Sequence, residues 1–231
     1  MFFVVIFILF FSIFQTCLSD EINLYTTRHY EADYEIYKKF QKKTGIKVNV
    51  VSGKSKPLEK RIIEEGKKCK GDLFFLADAG RLYSAEKKGL FQKIKSSSLI
   101  KNIPSHLRND YWYGITKRAR IVFYNPEHVN LEKIKNLNYE DLGDNEWKNS
   151  IAIRQSNNVY NQSLVASLIH NLGEKRTSEW LENFVKNFYE VPSGNDRAQI
   201  LAVAAGEAKL AIANTYYYAL MLSGKKGKSQ Q

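Results

Sequence analysis

Tyrosine is the residue type whose number and placement carry most chemistry in this chain. Fourteen are present, several of them where an apolar run gives way to a polar turn. His29 and Tyr30 follow the run Ile22 to Tyr25. Tyr160 follows Ile151 to Ile153, and Tyr216, Tyr217 and Tyr218 follow Leu210 to Ala213. A free phenol keeps its proton to about pH 10, but a bound cation strips it and leaves a hard anionic oxygen. A cluster of such oxygens suits a hard, highly charged cation, and the preference of calcium and magnesium for oxygen ligands extends to ferric iron. Uptake then releases protons, and acid favours release. Any one tyrosine near a strand end is more often a packing residue with a bonded hydroxyl. Packing accounts less well for the consecutive pair Tyr216 and Tyr217, because neighbours point in different directions, whereas at a strand-to-helix turn both can face one cavity.

The elements that must position these side chains alternate. Ile22 to Tyr25 reads as a strand, Tyr34 to Thr44 as a helix ended by Gly45, and Ile46 to Val51 as a second strand rich in branched residues. Leu58 to Gly66 is a helical pattern. Leu73 to Leu76 is a continuous apolar run, predicting a buried parallel strand. After a strand at Ile121 to Tyr124 the pattern restarts: strand Ile151 to Ile153, helices at Asn161 to His170, Glu174 to Phe188 and Ala198 to Ala205, and strand Leu210 to Ala213. Strands alternating with helices imply an α/β fold with crossover connections, and two lobes joined near residue 124 are the economical reading: 20–124 and 125–231. In open α/β sheets ligands bind at the carboxyl ends of strands, so loops bearing tyrosine can converge there.

Composition permits this. The chain has 231 residues, 44% hydrophobic and 26% charged, well inside the globular range. Phe2 to Phe14 is apolar and uncharged, too short for a comfortable membrane span, and Cys17 and Ser19 fit a cut after Ser19, so residues 1–19 read as a signal peptide. Cleavage there leaves Cys69 alone and excludes an internal disulfide; Cys69 reads as structural, although Lys67, Lys68 and Lys70 surround it. The formal net charge of +11 lies wholly outside the leader, with lysines spread over many segments as solvated surface.

The stretch Tyr25 to Tyr30, the segment Asp78 to Leu82 (DAGRL), Lys117 to Arg120, Ser156 to Ala166 (SNNVYNQSLVA), Gly194-Asn195-Asp196 and Ala213 to Tyr218 (ANTYYY) together resemble the ferric-iron-binding subunits of bacterial iron ABC importers. The likeness runs over residues 21 to 222. It implies a periplasmic receptor of the two-lobed, type II periplasmic-binding-protein fold that closes on Fe3+ and delivers it to an ABC permease of the inner membrane. Tyr160, Tyr216 and Tyr217 match the family's tyrosine ligands, and His29 and Tyr30 match a first-lobe histidine and tyrosine pair; Tyr218 is expected to pack. Arg118 and Arg120 stand where they would offset phenolate charge, and Arg197 stands where a small residue is expected. The family's sequences run on well past the tyrosine motif, so the resemblance implies a second lobe and a fold whose C-terminal portion is missing.

Two other readings compete. In a receptor for an organic or anionic solute the tyrosines would form an aromatic pocket and Arg28 or Arg118 would hold the anion; a non-functional fragment of an iron receptor is the other. No GxSxG elbow, HExxH motif or cysteine ligand set supports an enzyme. The expectation is a monomeric, periplasmic binding protein that does not bind nucleic acid.

Overall fold

The computed structural model describes residues 20–224; the expected leader and most of the lysine-rich tail lie outside the described residues. The chain forms two compact units, Met1–Phe75 and Leu76–Gln231.

The first unit is β1 (Glu21–Thr26), α1 (Glu31–Thr44), β2 (Lys47–Ser52), α2 (Ser55–Glu65) and β3 (Leu73–Phe75). Its sheet is parallel, in the order β2-β1-β3, with Glu21 opposite Lys47 and Leu24 opposite Leu73. Helix α1 carries Glu31 and Asp33 in its first turn, and Lys42 and Lys43 in its last, charges that oppose the helix dipole at each end. It stops at Gly45, whose positive φ of 75° suits a residue without Cβ while its N–H bonds the carbonyl of Gln41. Leu24, Tyr25 and Thr26 of the middle strand are buried, as is Leu58 of α2. Strand β3 forms and is parallel as its sequence predicts, but it is not buried: it lies at the sheet edge, and Leu73 is 53% exposed.

The second unit contains α3 (Ala79–Lys87), α4 (Ser97–Asn102), β4 (Arg120–Tyr124), α5 (Leu131–Ile134), β5 (Ile151–Ala152), α6 (Val159–Leu172), α7 (Glu174–Phe184), α8 (Asp196–Ala204), β6 (Leu210–Asn214) and α9 (Thr215–Leu222). Its sheet has the order β4-β6-β5, with β6 antiparallel to β4 and parallel to β5. All five residues of β6 are buried, which explains why the first four, Leu210 to Ala213, form one uninterrupted apolar run before Asn214. The main core gathers Leu142, Trp147, Ile151, Leu168, Trp180, Phe184, Leu210 and Ile212. Trp180 stacks on Phe184 at 4.4 Å and donates its indole N–H to the carbonyl of Tyr139 at 2.8 Å. Among the described residues no helix is long and apolar enough to cross a membrane.

Candidate metal centre

Strands β5 and β6 are parallel neighbours, so their carboxyl ends share one edge of the sheet, and each leads towards a helix with tyrosine in its first turn. After β5 the chain turns into α6, where the Asn158 side chain caps the helix by accepting the N–H of Tyr160 at 3.0 Å. Tyr160 therefore lies inside the first turn rather than ahead of it. Strand β6 runs straight into α9, and Thr215 N–H bonds the carbonyl of Ala119 at 3.0 Å, fixing the turn to the chain that enters β4. Tyr216 and Tyr217 occupy the first turn of α9.

These three phenols meet. The hydroxyl oxygens of Tyr160 and Tyr216 are 3.4 Å apart, and the rings of Tyr216 and Tyr217 lie 4.2 Å apart, tilted by 32°. Tyr160 and Tyr217 are buried, and together with Ile200 and Ala213 they form a small core against which Tyr216 packs. Burial pushes the Tyr216 hydroxyl well above the usual phenol range, and the neighbouring Tyr160 and Tyr217 push it the same way. Burial likewise pushes Tyr217 up, to about 12. The Tyr216 and Tyr217 hydroxyls thus hold their protons tightly unless something of high positive charge replaces them.

Guanidinium groups frame the tyrosines. Arg118 lies over the Tyr160 ring at 4.6 Å, Arg154 lies 5.6 Å from the same ring, and Arg197 lies 5.3 Å from that of Tyr217. Asp196, fully buried, accepts from Arg120 at 3.1 Å, from Arg154 at 3.2 Å and from the Asn214 N–H at 2.8 Å. It thereby ties β4, the segment after β5 and the end of β6 to one carboxylate. Arg120 also donates to Asn161 on α6 at 2.6 Å, and burial pulls its guanidinium below the usual arginine value while Asp196 opposes that. Arg118 is paired with Asp78. Arg118, Arg120 and Arg154 share the two carboxylates of Asp78 and Asp196, so positive charge is in excess beside the cluster.

In the first unit His29 and Tyr30 follow β1, with their rings stacked at 4.9 Å. Arg28 packs on the Tyr30 ring at 5.4 Å and on Phe75 at 4.9 Å, and it donates to the buried Asp33 at 2.7 Å. This arrangement holds the turn that carries the histidine and tyrosine.

Of the remaining sequence candidates, Tyr218 packs edge-on against Phe123 at 5.6 Å while staying 45% exposed. Cys69 has no histidine or second cysteine beside it to bind a metal: among the described residues no group of three or more His, Cys, Asp or Glu side chains is placed to do so. Burial pushes the Cys69 thiol up, so the surrounding lysines do not activate it. The residues that sequence reasoning left without a role are Asp78, Arg154, Ser163 and Asp196. Their long-range partners lie far away in sequence; the local signals were two helix caps, Asp78 accepting from Gly80 at the start of α3 and Asn195 accepting from Arg197 and Ala198 at the start of α8.

Comparison with known proteins agrees with this architecture. The chain is 47% identical over 207 residues to iron uptake protein A1 of Synechocystis, covering 89% of this chain and 57% of that protein. It is 45% identical over 202 residues to iron uptake protein A2 of the same organism, covering 87% and 56%. Among solved structures it superposes with a TM-score of 0.84 on the Trichodesmium protein IdiA (FutA) in complex with iron and citrate ligands, at 45% identity, covering 91% of this chain and 65% of that one. The chain thus spans a little over half the length of these curated relatives. The expected type II periplasmic-binding-protein fold is upheld by these neighbours. Residues 71–229 match the family described as bacterial extracellular solute-binding protein, and it is to that family that the chain belongs.

Proposed function

We propose that this chain holds ferric iron through Tyr160, Tyr216 and Tyr217 as part of an extracytoplasmic receptor that binds without catalysis. The observation that carries the reading is the 3.4 Å approach of the Tyr160 and Tyr216 hydroxyls at one sheet edge, with Tyr217 packed against Tyr216. Two neutral phenols sharing one hydrogen bond are replaced, when a trivalent ion enters, by two phenolates bridged through the metal. The protons leave to solvent, and Arg118 and Arg154 against the Tyr160 ring stabilise the negative charge that accumulates. His29 and Tyr30 are likewise proposed as iron ligands, on the strength of the sequence resemblance alone. The names of the relatives support iron as the cargo: iron uptake proteins, and a structure in complex with iron and citrate.

We propose that it delivers its cargo to an ABC permease of the inner membrane, a reading that membership of a solute-binding family supports, and that it is a periplasmic, monomeric protein that does not bind nucleic acid. A receptor for an anionic solute would need Arg28 or Arg118 to hold the anion, yet Arg28 is paired with Asp33 and Arg118 with Asp78. Titrating the full chain with ferric citrate tests the reading. A visible phenolate-to-iron charge-transfer band that weakens or shifts in Tyr160→Phe is the expected result, and a colourless protein at saturation overturns it.

A further inference from the structure

The loop between β3 and α3 holds a backbone conformation that its residue does not favour. Asp78 has φ 87° and ψ 129°, far from the allowed regions for a residue with a Cβ, where glycine would sit at ease. A non-glycine residue kept there is informative when its side chain is used, and this one is used three ways. One carboxylate oxygen caps α3 by accepting the Gly80 N–H at 2.9 Å and also accepts the Ser163 hydroxyl at 2.6 Å. The other oxygen accepts from Arg118. The side chain is 6% exposed, so water competes little for these bonds.

Both outward bonds converge on Tyr160. Ser163 lies one turn after Tyr160 on α6, so its bond to Asp78 pins the helix turn that carries the ligand. Arg118, held by the other oxygen, lies against the face of the Tyr160 ring at 4.6 Å. Gly80 keeps the space open: a Cβ there would come within 3.2 Å of Asp78 Oδ1 and 3.4 Å of Ser163 Oγ. We infer that Asp78 is a positioning residue for Tyr160, fixing the ligand from its helix and from its ring face at once. The carboxylate touches no ligand itself; it holds the groups that do. Supporting partners of this kind set metal affinity by fixing where the donor atom stands.

The inference rests on the ferric reading of Tyr160 for its consequence, but its geometry is testable without metal. The full chain, its Asp78→Gly and its Asp78→Asn variants are compared after tyrosine labelling for ring resonances, with Tyr160 assigned through Tyr160→Phe. Glycine relieves the backbone, so Asp78→Gly is expected to keep its unfolding midpoint within a few degrees of the parent. Its Tyr160 resonance is expected to move, and its ferric affinity, measured by competition with citrate, to fall about tenfold or more with a shifted charge-transfer band. Asp78→Asn retains an oxygen for the cap and for Ser163 while losing the charge that holds Arg118, so it is expected to fall between the two. Unchanged Tyr160 resonances in both variants overturn the inference, as do unchanged affinity and band in an iron-binding parent. A parent that gives no band with ferric iron defeats the ferric reading instead, and the metal-free resonance then decides the role of Asp78.

Discussion

The hydroxyls of Tyr160 and Tyr216 lie 3.4 Å apart although the two residues are separated by 56 positions in the chain. Two neighbouring parallel strands, each leading to a helix with tyrosine in its first turn, bring them together. If these oxygens and that of Tyr217 bind ferric iron, deleting one donor while keeping its ring should be felt at once. Tyr216→Phe and Tyr217→Phe are each expected to weaken or shift the visible band and to lower ferric affinity, read by spectrophotometric titration; wild-type spectra and affinities in both would exclude them as ligands.

Asp196 offers a test of stability. It is fully buried and carries two arginines and the Asn214 N–H. Asp196→Ala leaves two largely buried guanidiniums without their counter-ion, a loss expected to cost about 3–5 kcal/mol. Urea unfolding of the metal-free protein measures it, and a change below 1 kcal/mol, on the order of a surface pair, would show that the arginines find other partners.

Alkali should unfold the second unit through its tyrosines. Burial raises Tyr139, whose hydroxyl donates to the carbonyl of Arg120 at 2.7 Å, and raises Tyr217 to about 12. A phenol whose pKa is higher in the folded state contributes stability that is complete below about pH 10 and is lost as pH climbs through the folded value. The Tyr217 shift alone corresponds to roughly 2–3 kcal/mol. Thermal unfolding of the metal-free protein should therefore be insensitive to tyrosine between neutrality and pH 9 and should fall steeply above about pH 10. If the share of phenolate absorbance that Tyr217→Phe removes rose before the unfolding signal, the burial of that hydroxyl would be contradicted.

Core packing gives a separate measure. Leu142 is fully buried among Trp147, Trp180 and Phe184. Leu142→Ala is expected to cost about 2–5 kcal/mol in urea unfolding, because so aromatic a surround collapses poorly around a void. A smaller loss would mean that the second unit's core rearranges freely.

The order of the strands was legible because the apolar runs are short and give way to polar or turn-forming residues, such as Asn125 and Pro126 after Tyr124 and Asn214 after Ala213; the short helices α3, α4 and α5 were not read from the sequence. Local chemistry accounts for the shifted boundaries. Helix α1 begins at Glu31 rather than Tyr34 because Glu31 and Asp33 suit its positive end, and α6 begins at Val159 because Asn158 caps it. Helix α7 ends at Phe184 instead of Phe188: a tight 3-10 turn over Val185–Asn187 follows, and Phe188 leaves it to bridge Ile151. The tyrosines could be picked out because their type and adjacency are unusual. Asp78 and Asp196 could not be given a role in the same way, because a carboxylate's partner 40 or 76 positions away leaves no periodic trace in sequence.

The antiparallel pairing that sets Arg120 opposite Asn214 also has a consequence for synthesis. The strand that β4 pairs with, and through which it joins β5, is β6, and the ribosome delivers β6 last of the three. Until Leu210–Asn214 emerges, β4 waits with its apolar residues unsheltered, and Asp196 waits for the Asn214 N–H. The tyrosine-bearing edge thus takes shape only once β6 has emerged, a delay during which a holding chaperone has a binding surface to protect.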